Sequence, residues 1–217
     1  MEVGLNRAGV VSYMALFLVL LSCCVSSAAE AIVLREETEQ VRIDVTEESL
    51  EEVLLELELG SFSIEPVEID GRTYHRVHLG SESRMLEKGL PGLPDVRRSL
   101  IIPDDGEMRV TVVSETHRDF EDIDIAPSRG PIPRSADPGT IAYEFDPFYE
   151  SDAWFPEELV GSESPYIMRD VRGMTVAVTP FRYNPGTRTL RVYERVVVRV
   201  ERAGPGGENV LTRRPGA

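Results

Sequence analysis

Three histidines, a few acidic pairs and two cysteines are the groups from which catalytic or metal chemistry would have to be built in this chain. His75 and His78 stand three residues apart, a spacing that sends side chains to opposite faces of a strand. Gly71 and Gly80 bracket too short a stretch for a helix to bring them together as ligands, so core-held or solvated imidazoles are expected. His117 lacks a serine in a strand–turn–helix setting, which leaves a serine hydrolase unsupported. Asp122 with Asp124, and Asp104 with Asp105, have calcium-binding oxygens but not the spacing of a calcium loop, and solvated turn acids are expected. There is no glycine-rich phosphate loop. Cys23 and Cys24 both precede Ala29, so the chain beyond has no disulfide, thiolate metal site or cysteine nucleophile. As an isolated polypeptide it does not read as an enzyme, and neither cofactor nor metal is expected.

The scaffold for such groups is one domain's worth of chain: 217 residues, 23 Lys+Arg against 38 Asp+Glu, net charge −15. That acidity argues against a nucleic-acid binder, whose affinity comes from neutralising phosphates, and against a polybasic membrane-surface protein. Val10–Leu21 is almost wholly apolar but, as a helix, rises only about 18 Å, short of the ~30 Å hydrocarbon core. With Ser27-Ala28-Ala29 behind it, the segment reads as an export signal over residues 1–29, cut after Ala29. Leu20-Leu21-Ser22-Cys23 is a loose lipoprotein box, which would place a lipid on Cys23. The expected organisation is therefore a signal peptide (1–29), a domain over 30–203 whose 30–70 part is acidic, and a flexible linker over 204–217. Residues 30–70 carry fourteen acids and two bases, net −12, whereas 71–217 carry 23 acids and 20 bases, net −3.

Apolar residues recur mostly at every second position: Val41, Ile43 and Val45; Leu55, Leu57 and Leu59; Met108, Val110 and Val112. This is the pattern of strands with one dry and one wet face. Glu47–Leu55 also fits a short helix, because Leu50, Val53 and Leu54 share a helical face. Met174, Val176 and Val178, a turn at Asn184-Pro185-Gly186, and Leu190, Val192, Val196, Val198 and Val200 predict a long antiparallel hairpin packed on a second layer. Between the strand-rich parts, Asp119–Pro165 holds seven prolines and six aromatic residues from Tyr143 to Phe155. Proline at that density forbids long regular elements, while the aromatics can pin a loop to a core. The expected fold is an all-β antiparallel sandwich with a long proline- and aromatic-rich loop.

Several stretches then carry a resemblance. Glu87-Lys88-Gly89-Leu90-Pro91-Gly92-Leu93-Pro94, Leu100-Ile101-Ile102-Pro103 and Ile125-Ala126-Pro127-Ser128-Arg129-Gly130-Pro131-Ile132-Pro133-Arg134 resemble, in order, the propeptide domain of gingipain-type cysteine proteases. Phe155–Glu158, Met168–Gly173, Pro180–Pro185 and Thr189–Tyr193 continue the pattern, so the likeness runs from about residue 87 to 203. It implies the N-terminal pro-domain of an exported bacterial protease, found outside the cell or on its surface. Such a domain is a β-sandwich that covers its cognate catalytic domain, keeps it latent, assists its folding and is then cut away. Those proteases cleave after Arg or Lys, so the resemblance also implies a basic loop residue in their acidic primary pocket.

Arg129 and Arg134 are the bases of the proline loop. A guanidinium offers a forked donor set matched to a carboxylate, and Pro127, Pro131 and Pro133 reduce the freedom that docking must remove. Either arginine fits the role, and both also fit as solvated loop charges. Arg213-Arg214 is the candidate processing site, although a chain with 22 Arg and one Lys acquires such pairs by chance. No catalytic domain follows Ala217 in this sequence, which leaves open a fragment or a free-standing inhibitor. The alternative to a pro-domain is an exported structural or adhesion domain without a protease partner.

Overall fold

A computed structural model describes residues 29–35, 39–49 and 51–212, and the regular structure among them is almost wholly antiparallel strand. The first strand, β1 (Glu30–Val33), is followed by β2 (Val41–Ser49), β3 (Glu52–Leu59), β4 (Ser61–Ile69) and β5 (Arg72–His78). Next come β6 (Ser83–Arg84), β7 (Pro94–Ile101) and the long β8 (Glu107–Phe120). After the proline-rich segment the chain forms β9 (Val160–Ser162), β10 (Tyr166–Met168), β11 (Val171–Val178), β12 (Phe181–Asn184) and β13 (Thr189–Gly204).

These strands make three sheets. One is five-stranded, in the order β12-β13-β3-β2 with β8 along the other edge of β13. The second is also five-stranded, β10-β11-β7-β6 with β9 on β11, and the third is the three-stranded β1-β4-β5. Their dry faces meet in a single core. Leu55, Leu57 and Leu59 of β3 and Val192, Val196, Val198 and Val200 of β13 pack with Val96, Leu100, Met174, Val176 and Val178 of the facing sheet. Phe62 of β4 reaches the same core and meets Phe120 and Phe181 edge-on, with centroids 5.8 and 5.2 Å away. Each fully buried Leu or Val contributes roughly 1.5–3 kcal/mol, so this alternation is the main source of stability.

Two sequence expectations change here. The stretch Glu47–Leu55 is not helical: β2 runs to Ser49 and β3 begins at Glu52, pairing in register Val45↔Leu55 and Glu47↔Val53. The predicted long hairpin is also divided. Leu190 and Val192 do pair back across the turn, but with Tyr183 and Phe181 of β12. Met174, Val176 and Val178 of β11 instead pair with Leu100, Arg98 and Val96 of β7 in the opposite sheet. Thr179-Pro180 carries the chain from one layer to the other. Both apolar faces therefore meet across the sandwich rather than along one sheet.

The acidic N-terminal part lies beside arginines distant in sequence. Glu52, Glu56 and Glu58 on β3 pair with Arg199, Arg195 and Arg35 at 2.7, 2.5 and 2.7 Å, and Glu51 pairs with Arg202 at 2.9 Å. The wet face of this sheet is thus a ladder of opposite charges.

Candidate functional site

The proline loop grows out of a short, tightly bonded segment. Ile125 to Ser128 runs between β5 and residues 89–92: the His75 amide donates to Asp124 O (2.7 Å), Ala126 N to His75 O (2.9 Å) and Ser128 N to Leu90 O (2.7 Å). Ala126, Pro127 and Ser128 are buried. Gly130, at φ +79°, then turns the chain outward, with its amide donating to Ser128 Oγ at 3.1 Å. An L side chain at that φ would be strained, so glycine is the natural residue.

On either side of Gly130 the two arginines part company. Arg129 folds back across the base of the loop. Its Nη1 donates to Pro138 O and, at 3.4 Å, to Ile141 O, and its guanidinium covers the Tyr143 ring 4.8 Å from the centroid. The Tyr143 hydroxyl in turn accepts a hydrogen bond from Arg76 Nη2 at 2.5 Å. Arg129 is therefore a clasp that joins the outgoing and returning limbs.

Arg134 sits at the far end. Ala136 N donates to Pro133 O at 3.0 Å, closing a turn with Arg134 and Ser135 at its corners. Pro131, Pro133, Arg134 and Ser135 are all exposed. Among the described residues, Arg134 has no hydrogen bond, ion pair or ring contact. The returning limb is secured by Asp137, whose carboxylate accepts from Gly139 N at 2.8 Å, and by the Lys88–Glu144 pair at 2.6 Å.

Behind the loop stands an aromatic series that anchors it to the sandwich. Tyr74, Phe145, Tyr149, Phe148 and Phe155 follow one another at centroid separations of 5.2, 5.0, 5.9 and 5.7 Å. The Tyr149 hydroxyl donates to Ile125 O at 3.0 Å. At the foot of this series lies Asp124, buried and bonded to Arg72 (2.8 Å), Arg188 (3.2 Å) and the Tyr183 hydroxyl (3.3 Å). Burial alone would raise its carboxyl, but hydrogen bonds from Arg72 and Arg188, helped by their charges, outweigh it and hold it below the usual range.

The other expected residues fall as follows. Asp124 is not a solvated turn acid but the centre of this buried network, while Asp122 is exposed and pairs with Arg188 at 3.1 Å. His75 Nδ1 lies 3.2 Å from Asp124 O, His78 Nε2 lies 3.1 Å from Glu65, and His117 Nδ1 lies 2.9 Å from Glu115. Ala29 is exposed immediately before β1. Cys23, Cys24, Arg213 and Arg214 lie outside the described residues. Sequence reasoning passed over Arg76, took Asp124 for a solvated turn acid and read Tyr143 only as one of the loop aromatics. Tyr143 carried a signal, as the first of the six aromatics, whereas nothing in the linear chain relates it to Arg76, 67 residues away.

Comparison with known proteins bears on this arrangement. The model of the family Propeptide_C25 matches residues 35–212. Gingipain R1 of Porphyromonas gingivalis is 41% identical over 128 residues, covering 59% of this chain and 13% of that protein. Gingipain R2 of the same species is 41% identical over 126 residues, 58% of this chain and 17% of that protein. The chain thus spans only a small part of these curated relatives. Among solved structures, a complex of Porphyromonas gingivalis RgpB pro- and mature domains superposes with TM-score 0.75 at 33% identity, over 83% of this chain and 93% of that one. A structure addressing zymogenic latency of gingipain K from the same organism superposes with TM-score 0.68 at 21% identity, over 82% and 100%, a likeness of fold.

Proposed function

Because the chain belongs to the Propeptide_C25 family, the pro-domains of gingipain-type cysteine proteases, we propose that it keeps a cognate catalytic domain latent by offering Arg134 to its primary specificity pocket. The observation that carries this reading is the division of labour in the loop. Arg129 turns its Nη1 back to Pro138 O and Ile141 O, whereas Arg134 is exposed at the tip with no internal partner among the described residues. A free guanidinium keeps its forked donors for a carboxylate in the partner, and the clasp and prolines hold it out so that little freedom is lost on docking. Pro133, immediately before Arg134, restricts the backbone that a protease must seat in order to cut there.

The rest of the proposal follows the chain. Residues 1–29 direct export, with cleavage after the exposed Ala29, and the domain works outside the cell or at its surface. It assists folding of the catalytic domain and is released by cleavage at Arg213-Arg214. The structure of RgpB pro- and mature domains in complex supports a catalytic domain of the same family as the partner.

The test is inhibition of an Arg-specific protease of this type by the purified chain. Sub-micromolar inhibition is expected, and Arg134→Ala should weaken it at least tenfold, about 1.4 kcal/mol. Arg129→Ala should act more mildly, through a looser loop. Undiminished inhibition by Arg134→Ala would discard the loop-in-pocket mechanism.

A further inference from the structure

Beneath the base of the proline loop lies a small cavity of about 140 Å³, with Arg76, Arg84, Arg129, Leu86, Ser128 and Tyr143 in its wall. Three guanidiniums border one hollow in a chain of net charge −15, and none of the residues lining it is acidic. Among the described residues the one carboxylate paired with the group is Glu65, which is shared: it lies 3.5 Å from Arg76 and 3.1 Å from His78 Nε2. Arg84 pairs with no carboxylate among the described residues and feels Glu65 only through its charge. Its Nη2 donates to Val77 O at 3.0 Å and to His78 Nδ1 at 3.1 Å, which leaves the His78 proton on Nε2, facing Glu65. Burial, and after it the neighbouring Arg76 charge, push the Arg84 guanidinium below its ordinary value.

Every polar side chain of this wall can donate. Guanidinium nitrogens have no acceptor capacity. Tyr143 Oη already accepts from Arg76, and Ser128 Oγ from Gly130 N, so both hydroxyl protons remain to be given. A wall rich in donors, with cationic charge in excess, suits a ligand made only of acceptors. We propose that this hollow is an oxyanion site for a carboxylate or phosphate group, seated against Arg76, Arg84 and Arg129 and coupled through Arg129 to the loop that carries Arg134. An anion there would hold Arg129 and Tyr143 in place and so stiffen the loop base. Its source is either a free ion or an acidic side chain of the docked partner; the site stands without the pro-domain reading, and the coupling rests on it.

The first arm of the test needs no protease. Thermal unfolding of the purified chain is followed against sodium phosphate and sodium acetate, with sodium chloride at matched ionic strength as control. A saturating rise in Tm of at least about 3 °C over the chloride series is expected, and Arg84→Met should abolish it. If Arg84→Met does not fold, Arg129→Gln, altered in a half-exposed side chain, makes the same comparison. Absence of a saturating effect in the unaltered chain overturns the site. The second arm repeats the inhibition assay in phosphate. Tighter inhibition identifies a free ion as occupant, and weaker inhibition identifies a displaced carboxylate of the protease. No change, with the first arm positive, overturns the coupling to the loop. Loss of the Arg134 mechanism would leave the first arm untouched, so the two failures are distinguishable.

Discussion

Asp124 shows how much one side chain can organise when it is buried among cations. Arg72, Arg188 and Tyr183 converge on it, and its backbone carbonyl accepts from His75 N. Asp124→Asn should destabilise the domain by about 1–3 kcal/mol, because donors would lose a charged acceptor while both arginines still reach solvent and are screened there. Urea unfolding measures this. Since its folded value lies below the unfolded one, the contribution of Asp124 is present above about pH 3.9 and is lost as pH falls through the folded value. Burial raises the Tyr149 and Tyr183 hydroxyls, so stability should also fall as pH rises above about 10. A stability–pH curve that stays flat below pH 4 in the wild type but not in Asp124→Asn would contradict the assignment.

Among the elements, the β4–β5 hairpin has the clearest local cause. Ile69 pairs with Arg72 across Asp70-Gly71, both at positive φ (51° and 77°), which is the two-residue turn that twists with the strands it joins. A Cβ on Gly71 would meet nothing within 4 Å, so Gly71→Ala tests the backbone alone and should cost about 1–2 kcal/mol in thermal unfolding. This hairpin sets β5 beside Ile125–Ser128 and so supports the loop. The alternation of β3, β8 and β13 was legible in the sequence, whereas the aspartate–glycine turn, although local, went unread. Strand type was therefore readable, but the pairing of β11 was not. Met174, Val176 and Val178 present the same apolar face to a hairpin partner as to an opposite layer, and only packing distinguishes them.

For the molecule as a whole, one buried cation ties the described residues after β13 to the sandwich. Arg172 is 0% exposed and donates to Pro103 O (3.0 Å), Gly106 O (3.0 Å) and Glu208 O (2.7 Å). Leu211 N adds a bond to Asp104 O at 2.8 Å, so the residues after β13 are held against the β7–β8 connection. Arg172→Met removes the donors that these carbonyls share and should destabilise the domain by about 1–3 kcal/mol. It should also accelerate amide exchange at Leu211 well before the core strands exchange. Equal protection of Leu211 in variant and wild type would show that the tail is held by something else. The charge ladder between β3 and β13 makes a different prediction: salt should change stability little, because exposed pairs contribute about 0–1 kcal/mol each and the apolar interior dominates.

Local properties survive in the linear order of residues. Alternation, turn chemistry, the spread of charge and the lack of cysteine beyond Ala29 each depend on near neighbours, and they were enough for an antiparallel all-β domain with a proline loop bearing Arg129 and Arg134. What separates those two arginines is not local. Arg129 is occupied because Pro138, Ile141 and Tyr143 fold back over it, and Arg134 is free because no described residue does. The hollow of Arg76, Arg84 and Arg129 likewise joins three stretches of chain. Hydrogen bonds and charges act through distances in space, and those distances exist only once the sheets have packed.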